Sequence, residues 1–462
     1  MSRNNTQRGI VLIICLIFLC IFAALAVSTA SMSDNNAQIA NNHRKADGAR
    51  ACAESGLDVI KFWLHRISIP GNTPPDPDQR LTQIKNSLQT VLATYNVTNI
   101  VPSYNDSVIT IAGFANPSVT LDSASGQSFS AKITQITQPY PGVQVTVTGM
   151  CGSAKKEIRA AYRYENGAHS AFDYGVATKG PLSMTGNVGI EGANMAVESN
   201  VYIESAESLL ALSMIGNSKI AGDVFIVNPL ADVTLQGGKV EVGGETGQNA
   251  LNHIFKDVPA TDFPIPDPGH FWQYVTNVIN LENTTFENVV VPANTNPTFT
   301  GNVTIKGVFY IETPNVVTFG GNATVTGIIV GDGDYTDNSE TNQLKFNGNV
   351  FSYDVNTLPN EPQFNLLRNE TGTFAMAPGF SMSFGGNFHT LNGVIAGNGI
   401  DFYGNAGGTV NGSVINYSTN EMTVTGNSDL LFNRSGITKV PAGFVPELRI
   451  KYDPSSYSEG PF

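Results

Sequence analysis

Eighteen consecutive apolar residues, IVLIICLIFLCIFAALAV, fill positions 10–27 of the 462-residue chain. At about 1.5 Å per helical residue, the stretch 10–30 is long enough to cross a bilayer core about 30 Å thick. Arg3 and Arg8 precede it, and the next charge is Asp34. That asymmetry predicts a cytoplasmic N-terminus, a single pass through the inner membrane, and the bulk of the chain outside the cytoplasm. Three readings fit the run taken alone: a cleaved signal peptide with Ala24, Leu25 and Ala26 as the small-residue site, a plain signal anchor, or a retained helix whose short leader is removed on the cytoplasmic side.

The following residues bear on that choice. No proline occurs before Pro70, and Ala46, Ala49, Ala53, Gly56, Ile60, Trp63 and Ile67 recur at alternating spacings of 3 and 4. Such spacing places them on one helix face. Arg44, Lys45, Asp47, Arg50, Glu54, Asp58, Lys61 and Arg66 solvate the other side. The membrane helix is therefore predicted to run unbroken over residues 10–69, about 90 Å, and to stop at Pro70 and Gly71.

A short polar leader ending in Arg8 and Gly9, followed by Ile10, Val11, Leu12 and Ile13, resembles a type IV prepilin processing site. The later run Ala53-Glu54-Ser55-Gly56-Leu57, preceded by Ala46, Ala49 and Cys52, resembles the A-E-[SA]-G-L signature of the PilX-type N-terminal domain of pilus assembly proteins. The resemblance covers residues 8–64. It implies a leader at 1–9, a cut between Gly9 and Ile10 by a prepilin peptidase, and other pilin-like subunits as partners alongside the membrane. Major pilins carry Glu at the fifth position after the cut, where this chain has Ile14. That departure implies a minor pilin or a pseudopilin rather than an abundant fibre subunit.

Residues 70–170 read as a small α+β, pilin-like head. A Pro-rich break at 70–82 leads into a helix on which Leu81, Ile84, Leu88 and Val91 share a face, and then into strands at 107–112, 128–136, 143–148 and 157–164. Residues 149–156 read as a hairpin loop. Cys15 and Cys20 lie in the apolar run as packing residues. Cys52 and Cys151 would lie outside the cytoplasm, where a disulfide persists, so one reading pairs them. The cysteine spacing matches no zinc motif.

From residue 171 the texture changes. Gly-Asn pairs recur at 186, 216, 301, 321, 348, 386, 397, 404 and 426, usually after a short β-prone tract. The segments TFTGNVTIKGVFYIE (298–312) and VTFGGNATVTGIIVG (317–331) align with each other. Repeats of about 20 residues with β-prone tracts and Gly/Asn turns predict a C-terminal parallel β-helix, a solenoid, over residues 171–439. Stacked coils would bring the asparagines into amide ladders. Residues 239–297 and 350–381 read as insertions, the first with a helix at 271–281, and 440–462 as a cap or tail. The fold class expected is thus mainly β behind one long N-terminal helix.

Formal net charge is −13, with +3 on residues 1–69 and −16 on the remainder. An acidic exterior lacks the clustered Lys and Arg that phosphates require, so nucleic acid is not an expected partner. The loop DGDYTDNSE at 332–340 is the densest acidic cluster. It reads as a solvated loop, or as a calcium site using Asp332, Asp334 and Asp337, though without the EF-hand pattern. No other cofactor is expected. The six histidines show no H-x-x-x-H spacing, and no nucleophile, phosphate-loop or dinucleotide motif occurs. Phe271, Trp272 and Tyr274 read as packing of the inserted helix, or as a carbohydrate-stacking patch. The function expected is a non-enzymatic minor pilin-like component of a type IV pilus or type II secretion system, displaying an extracellular β-helix for adhesion or structure at the cell surface or on a pilus. The alternative is a membrane-tethered β-helix that binds or degrades surface polysaccharide.

Overall fold

The computed structural model describes residues 5–206, 208–336, 340–435 and 440–460. The chain divides into two units: Met1–Ile69, Thr73–Glu165 and Leu448–Phe462 form unit 1, and Pro70–Asn72 with Asn166–Glu447 form unit 2. Most of unit 2 is thus inserted in sequence between two parts of unit 1.

Unit 1 begins with helix α1, Asn5–Leu64. Residues 11–44 are exposed throughout. The expected packing face then takes over: Ala49, Ala53, Gly56, Ile60, Trp63 and Ile67 are all buried, and Cys52, Leu57 and Leu64 widen the stripe. The helix stops short of the expected residue 69. Ser68–Pro70 is a strand instead, because the residue before a proline is pushed out of helical geometry and sheet pairing is on offer.

α1 packs on an antiparallel meander. Val101–Asn105, Val108–Ala112, Gln127–Ile136, Gly142–Cys151 and Ala154–Gly167 pair in that order. The alternation predicted at Val143, Val145 and Val147 puts all three at 0% exposure. The expected loop at 149–156 shrinks to a two-residue turn, with Cys151 opposite Ala154. Helix α2, Pro77–Thr94, is capped by Asp76, which accepts from the Gln79 N–H, and buries Leu81, Ile84, Leu88 and Leu92. The described residues of 440–462 do not form a tail. Glu447–Tyr452 lies in the sheet next to Ala154–Gly167, and Ser458–Glu459 pairs with that strand on Arg159 and Ile158. The alternation in ELRIKY, with Ile450 buried at 3%, fits a strand better than a cap.

Unit 2 is built from three sheets, parallel but for the short pair Glu241–Val242 and Glu245–Thr246, that successive passes of the chain visit. One pass shows the pattern. Val316–Phe319 lies in the first sheet, and Gly321 and Asn322 make the corner. Ala323–Gly331 then bends at Gly327, whose φ is +155°. Its first half pairs with Val350–Tyr353 and its second half with Thr373–Ala377. The next passes stack in register, Phe319 against Phe346 and Phe346 against Phe384. Inside the first sheet, Phe299, Phe319, Phe346, Phe384 and Phe402 form a ladder with centroids 4.9–5.2 Å apart and interplanar angles of 7–20°. That spacing is the distance between neighbouring strands.

The Gly-Asn corners stack too. A Cβ on Gly321 would stand 2.2 Å from the Gly301 carbonyl oxygen, so only glycine fits so close a pass. Asn217 donates to Asn187 at 2.6 Å, and Asn187 to Asn427 at 3.2 Å. Gly397 and Asn398 leave this series. They lie at the end of the strand Val394–Gly397, and Asn398 donates to the Tyr335 carbonyl at 3.0 Å. A second amide ladder that the Gly-Asn pattern does not mark joins Asn194, Asn433, Asn411 and Asn392.

The strand order is permuted. In the third sheet the path runs Ile254–Lys256, Val224–Ile226, Val201–Ile203, Val176–Thr178, Val414–Asn416, Val394–Gly397, Thr373–Ala377 and on to Asn277–Val278. The first strand, Val176–Thr178, therefore pairs with the last, Val414–Asn416. The other two sheets close the same way, Leu182–Gly186 on Met422–Gly426 and Gly189–Gly192 on Asp429–Phe432. Residues 257–276 link the two ends of the stack. Eleven strands at about 4.8 Å span about 48 Å, which twenty extended residues cover. The strap descends pass by pass: Thr261 N–H donates to the Tyr202 hydroxyl, the Tyr417 hydroxyl to the Pro264 carbonyl, and Thr276 N–H to the Asn288 carbonyl. The helix expected at 271–281 is only a 3₁₀ segment, Pro268–Tyr274, because Asn277–Val278 joins the sheet beside Val289 and Val290. Likewise 239–297 is no simple insertion, since Glu241–Val242, Ile254–Lys256 and Thr285–Val291 are sheet strands.

Glu198 and Arg434 lock the closure. The Arg434 guanidinium donates to the carbonyls of Glu198, Phe172 and Val197 at 3.0, 3.1 and 2.9 Å. The Glu198 carboxylate, 4% exposed, accepts from the N–H groups of Asn194, Met195 and Arg434. Burial opposes its ionisation, but hydrogen bonds led by those from Asn194 outweigh burial and hold its carboxyl below the usual 4.5. A depressed carboxyl stabilises the fold above its unfolded value, and that contribution is lost as pH falls through the folded one. Glu198→Gln is accordingly expected to lower the unfolding temperature at pH 7, with the gap to wild type closing as pH falls below 4.5. Thermal melts of both proteins across pH check this.

Candidate functional site

The first candidate is α1 itself. It is the one helix among the described residues long and apolar enough to cross a membrane. Gly9 and Ile10 both lie in its helical backbone. Ile14, Cys15 and Cys20 are exposed on the apolar half. The second half meets the sheet at glycines. A Cβ on Gly149 would stand 2.2 Å from the Ala49 carbonyl oxygen, and one on Gly56 would stand 2.7 Å from the Phe129 ring. The glycine of the AESGL run is thus one of the places where helix and sheet approach closely, and Gly149 on the strand is a closer one.

Cys52 is buried and Cys151 half-buried, both as free thiols. Burial first, and then the neighbouring Cys151, pushes the Cys52 thiol up, with a backbone hydrogen bond at Ser128 opposing. The two residues are therefore near each other.

In the acidic loop, Asp332 accepts from the Thr313 N–H at 2.7 Å and Asp334 from the Thr336 N–H at 3.0 Å. Asp337 lies outside the described residues. Among the described residues, no group of three or more His, Cys, Asp and Glu side chains is placed to share a metal ion.

The second candidate lies in unit 2. A cavity of about 400 Å³ is lined by Asp267, His270, Glu370 and residues 440–446. His270 Nε2 stands 3.0 Å from one Glu370 oxygen, and the Tyr274 hydroxyl donates to the other at 2.7 Å. Burial, and then the hydrogen bond to Glu370, pushes the Tyr274 phenol well above its ordinary range, so it remains a donor. Asp267 caps the 3₁₀ segment by accepting from the His270 N–H. Phe271 is fully buried, as the packing reading expected, whereas Trp272 is 48% exposed and meets Tyr310 edge-on at 5.0 Å. The carboxylates of Asp267 and Glu370 let the cavity accept hydrogen bonds, and Trp272, outside its lining, offers an exposed aromatic face. The histidines show no partners in sequence, yet His270, His253 and His169 each face a carboxylate, at Glu370, Asp223 and Glu447. Those partners are 100, 30 and 278 residues away, and no local spacing announces them.

No protein-family model matches the chain, and no curated protein matches it. Among solved structures, it is similar to the competence-associated pilin ComZ from Thermus thermophilus at 11% identity, over 90% of this chain and 97% of that one. The TM-score is 0.28, too slight a likeness to assign a fold or a role.

Proposed function

We propose that the chain is a minor pilin-like or pseudopilin-like component of a type IV pilus or type II secretion system, with a PilX-type N-terminal region and no enzymatic activity. The observation that carries this reading is α1. Its first half is apolar and exposed, its second half packs on an antiparallel sheet, and the processing-like residues Arg8, Gly9 and Ile10 open it. A simple membrane anchor has no need of so long a continuous helix. In this reading the first half sits in the membrane and then against other pilin-like subunits, after a prepilin peptidase has cut before Ile10. Unit 2 is a β-helix carried outside the cytoplasm for adhesion or structure, a reading supported by its in-register parallel passes, Phe ladder and amide ladders. The cavity's acid groups are already engaged, Glu370 by two donors and Asp267 as a cap, which favours binding over catalysis.

Mass spectrometry of the mature protein is expected to find Ile10 at the N-terminus, with or without an N-methyl group. An intact Met1, or a start near Val27, would sink the reading. The second reading, a membrane-tethered polysaccharide-binding protein, is favoured by the exposed ring of Trp272, two residues along the chain from His270 of the cavity lining. Glycan binding that is lost in Trp272→Ala, in a protein still starting at Met1, would support it.

A further inference from the structure

We propose that Cys52 and Cys151 form a disulfide that staples α1 to the head sheet where the exposed half of the helix begins. The inference rests on the outward topology of the reading above, because the bond needs an oxidising compartment.

The geometry comes from three close approaches along one strand. Cβ positions built at glycines of the helix and the strand place Val147 beside Gly56, Gly149 against Ala49 and Ala53, and the Cys151 sulfur 2.9 Å from a Cβ on Gly48. Helix and strand therefore run past each other in opposite directions, and Cys151 falls at the level of Gly48. Gly48 and Cys52 are one helical turn apart, so their Cβ positions are about 5–6 Å from each other. The sulfur of Cys151 thus lies within a rotamer change of the Cys52 thiol, which is itself turned into the interface at 2% exposure. Gly48 leaves the room this requires, since any side chain there would occupy the place of the sulfur.

The chemistry is dithiol–disulfide exchange with an oxidised thiol–disulfide oxidoreductase. The half-buried Cys151, as thiolate, attacks the catalyst's disulfide, forming a mixed disulfide and releasing one catalyst thiolate. Cys52, as thiolate, then attacks the Cys151 sulfur and releases the second. Two S–H bonds become one S–S bond, the two electrons pass to the catalyst's disulfide, and the two protons end on its thiols or in solvent. The bond closes a loop across residues 52–151 and ties the helix down at residues 48–52, next to the exposed stretch 11–44. Pulling on the free half would otherwise begin to open the helix–sheet contact at this place.

The test uses the full chain in detergent. Protein isolated from cells without reductant is alkylated under denaturing conditions and digested. The expected result is one cross-linked peptide pair containing Cys52 and Cys151, lighter by two hydrogens than the dithiol form, with Cys15 and Cys20 alkylated. In a second arm, reduced folded protein is exposed to oxidised glutathione. The same pair is expected to close, and C52S is expected to leave Cys151 as a glutathione adduct. Glutathione on wild-type Cys151 with Cys52 still free would overturn the proposal on geometry alone. A bond that closes in this arm but is absent from cell-derived protein would overturn the native cross-link and trace the failure to the topology.

Discussion

Phe346→Ala is expected to lower the stability of unit 2 by about 3–5 kcal/mol. Phe346 is fully buried and stacks on both sides, on Phe319 at 5.1 Å and on Phe384 at 4.9 Å. Truncation opens a cavity in the middle of a ladder whose neighbours are held at strand spacing by backbone hydrogen bonds, so they cannot close over it. Phe299 is at the end of the same ladder, 7% exposed, with one ladder neighbour. Phe299→Ala should cost less for that reason. Denaturant unfolding followed by near-ultraviolet circular dichroism checks both variants, and equal losses would show that the ladder's interior position does not matter.

Gly149→Val is expected to weaken unit 1 by about 3 kcal/mol, at the upper end of overpacking. Valine favours strands over glycine, so by propensity alone the change would stabilise. The opposite sign is expected because the new Cβ would stand 2.2 Å from the Ala49 oxygen and 2.3 Å from the Ala53 nitrogen. Both are helix backbone, which cannot rotate aside, so α1 must lift and expose Ala53, Leu57 and Ile60. Amide exchange over the helix residues 49–64 is the measurement. Unchanged protection there would mean that the helix does not depend on this contact.

What could be read from the residues depended on whether the signal was local. The buried face of α1 was legible because helix periodicity repeats within a few residues, and Ala49, Ala53, Gly56, Ile60 and Trp63 kept it. The Gly-Asn corners were legible because close backbone approach restricts the residue type. The return of Glu447–Tyr452 to the head sheet was not, since a strand carries no mark of the sheet it joins. Gly397 and Asn398 shared the dipeptide but not the corner, because turn chemistry is common to every corner of a pass. Passes without Gly-Asn, such as the one through Glu241–Val242, look like insertions in sequence because nothing local marks their corners. Of the candidate site, Phe271 and Trp272 stand out in the sequence as an aromatic pair, but their separation into a buried and an exposed ring depends on a neighbour, Gly443, whose Cβ would meet the Phe271 ring. Glu370 carries no mark in the sequence, because it meets His270 and Tyr274 only through the fold.

The permuted strand order has a mechanical consequence. A linear stack has a chain end at each extremity, and tension on either end peels it away one pass at a time. Here the outermost passes are joined by the strap at 257–276, and the chain enters and leaves through passes that pair with each other in mid-stack. The two connections continue into Ala154–Gly167 and Glu447–Tyr452, which are neighbours in one sheet. A load applied through the chain is therefore shared between two passes of the stack. To unravel the stack, that load must first shear three pairs of strands together, with Arg434 and Glu198 bolted across the same seam.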